Sequence, residues 1–445
     1  MTISLRDLTA CFQGVIPSII ATAASDGTPN ISYLSHVALI DDHRVALSNQ
    51  FFRKTAANIK ANPNAALLLV DPRDGRQFRL DICFEQTLEN GELFEDMAAQ
   101  LRASAQLEMG EAMRLRSLDI YSVRAVQSIR SSKPYTTTLS GDGSVSLKAA
   151  ATIAGKIAHA GDVGAIIDAV LDGVRDGLAF DNAIILLKEP SSDSLVTVGS
   201  RGYERSGVGS EVLLGDGVIG TAALTQRPVR INDASRIRRF SSAVQASLDE
   251  ENRTRTIALP GMGNSMSQVA LPMTAHGVMR GVFFVESARR LAFTQEDQAI
   301  LAIVAMQAAA ALALAEAAAA EASASIPEVN AEPVKVEGSF RVVRHAYDDS
   351  VFIDNEYLIK GLPGRILMHL LRTHQREGRQ EFTNREIRLA EDLRLPDFKD
   401  NLETRLLLLR RRLEEKSAPV QIFRTGRGRI RMAISGKAIL EDANC

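Results

Sequence analysis

Hydrophobic and polar positions along the chain form three periodic blocks, separated by two stretches in which the apolar periodicity disappears. Residues 131–146 are rich in Ser, Thr and Gly, whereas residues 316–338 change from an Ala-rich helix to a polar Pro/Glu/Ser/Val segment. Neither stretch can bury much apolar surface, so both are interpreted as linkers. We therefore expect a multidomain α+β chain with domains at 1–130, 147–318 and 339–445.

The first block has the pattern of a small β-meander. An apolar run at 15–23 is followed by a turn sequence with the Asp26-Gly27 pair at its centre. Helical spacing appears at 52–62 and at about 90–109. Further strands are predicted at 29–40, 44–50, 65–71, 76–88 and 118–128.

A basic pair, Arg53 and Lys54, stands with Thr55 where a predicted strand gives way to a helix. Backbone N–H groups at a helix N-terminus favour anions, and two cations strengthen such a site. A solvated surface pair produces the same pattern, so the pair alone identifies no ligand.

The order of elements, with DGTP (26–29), SNQFFRKT (48–55) and ANP (61–63), resembles the FMN-binding split barrel of the pyridoxamine 5'-phosphate oxidase-like family over about residues 10–129. The resemblance implies a split β-barrel that pairs with a second copy and holds FMN at the interface. The cofactor contacts are expected from Ser32, Ser35, His36, Ser48, Asn49, Arg53, Lys54 and Thr55.

The block departs from the family pattern at three positions. Phe52 replaces the small hydroxyl residue before the Arg-Lys pair, and Ser32 and Val37 stand where the family's oxidases carry an Arg and a Lys. No counterpart of the oxidase's C-terminal substrate-binding segment is found. Vitamin oxidation and a catalytic residue are therefore not expected. His36 leaves three interpretations open: a contact to FMN, a haem ligand, or an ordinary strand histidine.

The second block has helical spacing at 150–172 and 294–317, with strand-like runs between them. The sequences GDGVIGTAALTQRPVRIND, SQVALPM with GVMRGVFFVES, and FTQEDQAILAIVAMQAA resemble a GAF domain, an α/β/α sandwich. The resemblance implies a small-molecule ligand in a pocket over the sheet and dimerisation through the end helices. A dimerisation role without any ligand is the alternative. The wide apolar stripe of the closing helix suits a helix pair.

Charge is distributed unevenly along the chain. Residues 339–445 hold 21 basic and 16 acidic residues, a net of +5, so the rest of the chain carries −7 of the total of −2. The excess is densest from Lys399 to Arg431, which contains ten basic and four acidic residues. A near-neutral chain thus has one basic end, as nucleic-acid-binding proteins often do.

The third block predicts two strand-like runs, then helices and a final hairpin. Thr383 and Glu386 form a capping-box sequence at the start of the second helix. Leu406, Leu409 and Leu413 share one face of the third helix and are expected in the core. The helices are predicted at 362–375, 383–393 and 401–416, and the hairpin at 421–434.

This order, with LRRRL (409–413) and FRTGRGRIRM (423–432), resembles the OmpR/PhoB-type winged helix-turn-helix over about residues 340–436. The resemblance implies that the third helix enters the major groove of DNA. Base contacts are expected from Asn401, Thr404 and Arg405, and phosphate contacts from Arg411, Arg412, Arg427 and Arg429. The hairpin departs from the family at Arg429-Ile430, where Gly-Tyr is frequent.

The remaining composition argues against several classes of protein. The three cysteines, Cys11, Cys83 and Cys445, cannot build a disulfide framework, and the seven His are scattered, so no metal site is predicted. Cys11 and Cys83 are interpreted as buried free thiols, with a redox pair as the alternative. No signal peptide is recognised, and the apolar run 301–315 is shorter than a bilayer requires. A cytoplasmic location without a membrane partner is therefore expected.

Three hypotheses about function follow. The first is a homodimeric transcriptional regulator that binds DNA and senses a flavin-linked or small-molecule signal. The second is an FMN-dependent oxidoreductase with regulatory domains. The third is a haem or gas sensor built on the same architecture.

Overall fold

A computed structural model describes residues 3–49, 53–108, 115–129, 147–190, 192–234, 255–321, 338–393, 402–426 and 428–443. The predicted DNA contacts Asn401 and Arg427 lie outside the described residues, as does Phe52. For Arg53 the backbone alone is described.

The first domain is an antiparallel sheet in the strand order β2-β1-β5-β6-β7-β4-β3, preceded by a 3-10 helix at Leu5–Gln13. The predicted strands and helices are all present, except that the expected strand 29–40 is split. The elements are β1 Ser18–Ala23, β2 Pro29–Leu34, β3 Val37–Leu39, β4 Arg44–Asn49, α1 Arg53–Ala61, β5 Asn64–Val70, β6 Gln77–Leu88, α2 Glu92–Glu108 and β7 Ser117–Ile129.

The split between β2 and β3 shows how the sheet curls. The two strands form opposite edges of the sheet, yet only Ser35 and His36 connect them. Two linking residues span roughly 10 Å, so the edges must approach each other and the sheet closes into a barrel. The Ser48 hydroxyl accepts from the His36 N–H at 3.1 Å and donates to the His36 carbonyl at 3.0 Å, which holds this crossing in place.

The second domain is an antiparallel sheet in the order β10-β9-β8-β13-β12-β11 with helices on both faces. The helical spacing at 150–172 corresponds to two helices, separated by three residues. Asp162 begins the second one by accepting a hydrogen bond from the Ala165 N–H at 2.9 Å. The elements are α3 Leu147–His159, α4 Val163–Leu178, β8 Asn182–Lys188, β9 Ser194–Arg201, β10 Glu211–Leu213, α5 Gly217–Thr225, β11 Val229–Ile231, β12 Ser267–Ala275, β13 Val278–Ser287 and α6 Gln295–Glu321.

The central strands of this sheet are buried on both faces. On β8, Ile185 packs with the layer of α3, α4 and α6, whereas Ile184 packs with α5 on the other side. Ala99 and Ala103 of α2 belong to that second layer. The barrel and the central domain therefore share a hydrophobic core and are docked against each other.

Helix α6 buries one face and exposes the other. Val304 and Leu312 are in the core, whereas Ile303, Met306 and Leu314 are exposed. The segment Gln295–Ala318 is long and apolar enough to cross a membrane by length and composition. A core helix with one packed face has the same length and composition, so these two properties are weak evidence for a membrane span.

The third domain combines two small sheets, β16-β15-β14-β20 and β17-β19-β18, with helices between them. The predicted capping box of Thr383 and Glu386 is present, and Leu406, Leu409 and Leu413 are buried as expected. The second helix is shorter than predicted, and β17 and β20 were not anticipated. The elements are β14 Ser339–His345, β15 Ser350–Ile353, β16 Glu356–Ile359, α7 Leu362–Glu377, β17 Glu381–Thr383, α8 Asn384–Leu389, α9 Leu402–Glu415, β18 Val420–Gly426, β19 Arg429–Ile434 and β20 Lys437–Ala443.

Candidate functional site

A cluster of hydroxyl and amide groups lies at the N-terminus of α1. The buried Thr55 hydroxyl is 2.9 Å from the Ser32 hydroxyl and accepts from the Asn30 amide at 3.0 Å. Beside it, the Asn58 amide donates to the Thr22 hydroxyl at 3.1 Å. We call these five residues the Thr55 cluster.

Lys54 lies next to the Thr55 cluster and is exposed. The Thr28 N–H, and more weakly the Lys54 ammonium, hold the pKa of Asp26 below its usual value, so Lys54 is close to this turn. Hydroxyl and amide donors, a cation and a helix N-terminus together suit a phosphate monoester. The donor set of this region therefore fits the phosphate of FMN.

The other predicted cofactor residues lie elsewhere in the barrel. The Ser48 side chain is used by the β2–β3 crossing, and the Asn49 amide donates to Asp119 Oδ2 at 3.2 Å. Ser35 and His36 line a cavity between the barrel and the central domain. The structure thus brings together Ser32 and Thr55, with Lys54 adjacent, whereas Ser48 and Asn49 make other hydrogen bonds and Ser35 and His36 line a different cavity.

The two cysteines of the barrel are both free. Cys11 is buried, and burial raises the pKa of its thiol to about 12, which makes it unreactive. Cys83 is half-buried, and its Sγ accepts from Arg124 Nη2 at 3.0 Å. Among the described residues, no three His, Cys, Asp or Glu side chains gather as a metal site would require.

Helix α9 of the third domain packs against α4 and β9 of the central domain. The Arg405 guanidinium forms a doubly hydrogen-bonded ion pair with Glu189, and the two side chains are only 8% and 14% exposed. Arg411 donates to Asp168 Oδ1 at 2.9 Å and to the Val198 carbonyl at 2.6 Å. We call these two sets of contacts the α9 latch.

The backbone of β9 is shaped to admit Arg411. A Cβ atom at Gly199 would lie 2.2 Å from Arg411 Nη1, so any larger residue there would displace the guanidinium. Burial lowers the pKa of Arg411, against the opposing effect of Asp168. The arginine is nevertheless charged at neutral pH, because guanidinium pKa values are far above 7.

Among the described residues, the predicted DNA contacts of α9 therefore do not face solvent in this arrangement of the domains. Thr404 and Arg405 are buried, and Arg412 donates to the Leu358 carbonyl at 2.9 Å and to Glu415 at 2.6 Å. Arg429 is half-buried in the hairpin. The expectation of an exposed basic helix is wrong here, because the central domain binds Arg405 and Arg411, and Arg412 is bound within the third domain. DNA contact by these residues stays a prediction for an undocked third domain.

Sequence reasoning missed the partners of these residues. Glu189 and Asp168 are 216 and 243 positions away from the arginines that they bind. Arg230, which lines the same cavity as His36, was likewise not identified. No local pattern marks such residues, because their role arises only when the domains dock.

Two family models match parts of the chain. The model described as "Pyridoxamine 5'-phosphate oxidase" matches residues 7–127, and the model described as "GAF domain" matches residues 160–313. The first domain is therefore pyridoxamine 5'-phosphate oxidase-like, and the second is a GAF domain. A search of curated proteins found no significant match.

Several solved structures resemble single domains. The GAF domain of an Acinetobacter phosphoenolpyruvate-protein phosphotransferase is 20% identical, covers 38% of this chain and 94% of its own, and has a TM-score of 0.32. HupZ of group A Streptococcus is 19% identical, covers 29% and 97%, and has a TM-score of 0.23. An FMN-binding protein from Syntrophomonas wolfei is 14% identical, covers 28% and 84%, and has a TM-score of 0.24. These likenesses carry no argument about what this chain binds.

Proposed function

We propose that this chain is a cytoplasmic, homodimeric transcriptional regulator. Its barrel and its GAF domain sense a flavin-linked or small-molecule signal, and its third domain is a winged helix that binds DNA through α9. In the arrangement described above the regulator is closed, with α9 held away from DNA.

The α9 latch carries this proposal. Its two arginines, Arg405 proposed for base contacts and Arg411 for phosphate contacts, instead bind the central-domain carboxylates Glu189 and Asp168. A basic helix whose arginines are bound by carboxylates of another domain in the same chain is suited to regulated exposure. A change in the sensory domain that moves α4 or β9 would release it.

The order of elements supports a winged helix. Helices α7, α8 and α9 are followed by the β18–β19 hairpin, and Gly428, at φ +64°, lies at its tip. The strand β20 returns to pair in parallel with β14 and closes the domain. In a winged helix the third helix reads DNA and the hairpin contacts its backbone, which is where the basic residues of this domain concentrate.

A flavin is the proposed occupant of the barrel. Thr55, Ser32 and Asn30, with Lys54, would hold its phosphate, and FMN would supply redox chemistry when bound. The barrel lacks cations at Ser32 and Val37, so we assign the flavin a sensing role. Homodimerisation is proposed through α6, whose exposed face includes Ile303, Met306 and Leu314.

The test compares substitutions on the two sides of the α9 latch, which should change DNA binding in opposite directions. Glu189→Gln and Arg405→Ala both break the same contact, but only Arg405→Ala removes a proposed DNA contact. Fragments that the full chain binds would be selected from a genomic DNA library. The affinity of the wild type and of each variant for these fragments would then be measured at several salt concentrations.

We expect Glu189→Gln to bind the selected fragments more tightly than the wild type. Arg405→Ala combined with Arg411→Ala should not bind them, although it also opens the latch. Affinity should fall steeply with salt because phosphate contacts release counterions. If neither the wild type nor Glu189→Gln enriches any fragment, or if binding is insensitive to salt, the third domain does not bind DNA.

A flavin-dependent oxidoreductase is the second candidate, favoured by the Thr55 cluster. Its test is the absorbance spectrum of the purified chain, followed by reduction with NAD(P)H in the presence of an acceptor. Sustained turnover would favour the enzyme, whereas a Soret band that is lost in His36→Ala would favour the haem sensor.

A further inference from the structure

A cavity of about 250 Å³ lies between the barrel and the GAF domain. The barrel contributes the segment after its 3-10 helix, the β2–β3 crossing and one side of α2. The GAF domain contributes Arg230 and the residues that follow it to Asp233. The cavity is distinct from the Thr55 cluster, none of whose residues lines it.

The walls of the cavity are fixed by side-chain amides that bridge the two domains. The Gln100 side chain accepts from the Arg230 N–H at 3.0 Å and donates to the Arg230 carbonyl, as a neighbouring strand would. Asn232 donates from its amide to Gln13 Oε1 at 2.9 Å and to the Phe293 carbonyl at 2.8 Å. The cavity is therefore built into the domain interface, and its polar walls are held in position.

The Arg230 guanidinium is incompletely paired. Its side chain is partly buried as a whole, but its Nη1 atom is fully buried and has no hydrogen-bond partner among the described residues. Burial lowers the pKa of Arg230 to about 10, opposed by the charge of Asp297. The Asp297 carboxylate is itself bonded to the Thr294 N–H and hydroxyl, both at 2.8 Å. A buried N–H of a cation without an acceptor is unusual and calls for an explanation.

His36 faces the same cavity as a neutral ring. Burial, and then the charge of Arg230, lower its pKa to about 4. A Cβ atom at Gly14 would lie 2.6 Å from His36 Nδ1, so the ring packs directly against backbone. The acidic residue of the lining, Asp233, is bound to Arg290. Arg230 thus supplies positive charge to a cavity whose carboxylate is already neutralised.

We propose that this cavity is a binding site for a small organic anion, whose carboxylate or phosphate group pairs with Arg230. Arg230 lines the cavity, and a planar guanidinium donates two parallel hydrogen bonds to either group. His36 and Ser35 face the ligand from the barrel, and Leu101 and Ile231 provide apolar surface for its carbon skeleton. The site lies outside the proposed FMN region and stands whether or not the third domain binds DNA.

The experiment compares anion binding by the full chain and by two arginine variants. Arg230→Met removes the charge and keeps most of the side-chain volume. Arg227→Met is the matched control, since Arg227 lies three residues away and pairs with Asp96 at 3.0 Å without lining the cavity. Sodium phosphate and sodium acetate are titrated at constant ionic strength, balanced with chloride, and heat release and melting temperature are recorded.

We expect the wild type and Arg227→Met to bind one or both anions with a rise in melting temperature. Arg230→Met should lose this response and, without anion, melt no lower than the wild type, because it removes an unsatisfied buried charge. A response to phosphate alone or to acetate alone identifies the headgroup. If Arg230→Met does not fold, Arg230→Lys should bind at least tenfold more weakly, since an ammonium cannot form the parallel pair.

Two results would overturn the proposal. One is an anion response in Arg230→Met equal to that of the wild type, which would place the binding elsewhere. The other is a wild type that responds to neither anion at concentrations up to tens of millimolar.

Discussion

The α9 latch predicts that Glu189→Gln opens the protein. Glu189 and Arg405 are nearly buried, so the substitution leaves a buried guanidinium without its counter-charge as long as the domains stay docked. Breaking a buried pair in this way costs about 3–5 kcal/mol. The Gln amide oxygen still accepts a hydrogen bond, and undocking returns Arg405 to water, so the lower value is appropriate. We therefore expect the balance between closed and open forms to shift by about 3 kcal/mol, or roughly 100-fold.

The assay follows the latch in two independent ways. Amide hydrogen exchange of α9 reports undocking without DNA, and exchange should accelerate by up to roughly 100-fold if it proceeds through the open form. Fluorescence anisotropy with a selected DNA fragment reports affinity, which should rise by up to the same factor because apparent affinity scales with the open fraction.

The matched control is Glu204→Gln, an exposed glutamate of the same domain that makes the same change in net charge. It should leave both measurements at their wild-type values. The reasoning is refuted if α9 exchanges at the same rate in Glu189→Gln and Glu204→Gln. If exchange accelerates but DNA affinity does not, the latch exists and the DNA-binding proposal fails.

Three further predictions follow from single positions. Gly199→Val should expel Arg411 from β9, because even a Cβ atom would lie 2.2 Å from Nη1, and hydrogen exchange of α9 should accelerate as in Glu189→Gln. The free energy of unfolding should fall as the pH drops from 6.5 to 4, by up to about 3 kcal/mol, because the unfolded state takes up a proton that His36 resists until about pH 4. Denaturant titrations at several pH values should show that the free energy of unfolding of His36→Gln lacks this pH dependence. A pH dependence equal to that of the wild type would contradict the prediction. Thr55→Val should destabilise the barrel by about 1–3 kcal/mol, since it removes both hydrogen bonds between the buried Thr55 hydroxyl and the half-buried Asn30 and Ser32 side chains. Chemical denaturation measures that loss, and a barrel as stable as the wild type would argue against a structured cluster.

The barrel shows how far local pattern predicts a fold. Its strands alternate or run apolar, and turn residues such as Gly27, at φ +83°, separate them, so each strand is visible in the sequence. The break at Ser35 and His36 was not visible, because both halves of 29–40 have strand character. The break becomes necessary only when the sheet closes, because residues 29–40 then supply both edge strands, β2 and β3.

The same limit applies to the candidate sites. Lys54 and Thr55 could be proposed from sequence, because the pattern is local to a helix N-terminus, whereas Ser32 was proposed only from the family resemblance. Arg230 could not, since its environment is made by Gln100, 130 residues earlier. The arginines of α9 were correctly identified as basic and helical. The burial of Arg405 and Arg411 depends on carboxylates of another domain, and no periodicity within α9 encodes those partners.

The Arg230 cavity and the Arg411 contacts of the α9 latch lie toward opposite sides of one sheet. Arg230 is on β11 at one edge, whereas Arg411 bonds to the backbone of β9, one strand in from the other edge. The strands between them are buried on both faces and close-packed, so they cannot transmit a change by bending at one residue. Any coupling has to move the sheet and its helices as a body, with α4 carrying Asp168 along. Thermodynamic linkage then requires that an anion which weakens the latch binds more tightly, by the same factor, to a chain whose latch is broken. The central domain, with the barrel packed toward one side of its sheet and the third domain toward the other, is therefore able to act as a relay, and it needs no flexible element within the sheet.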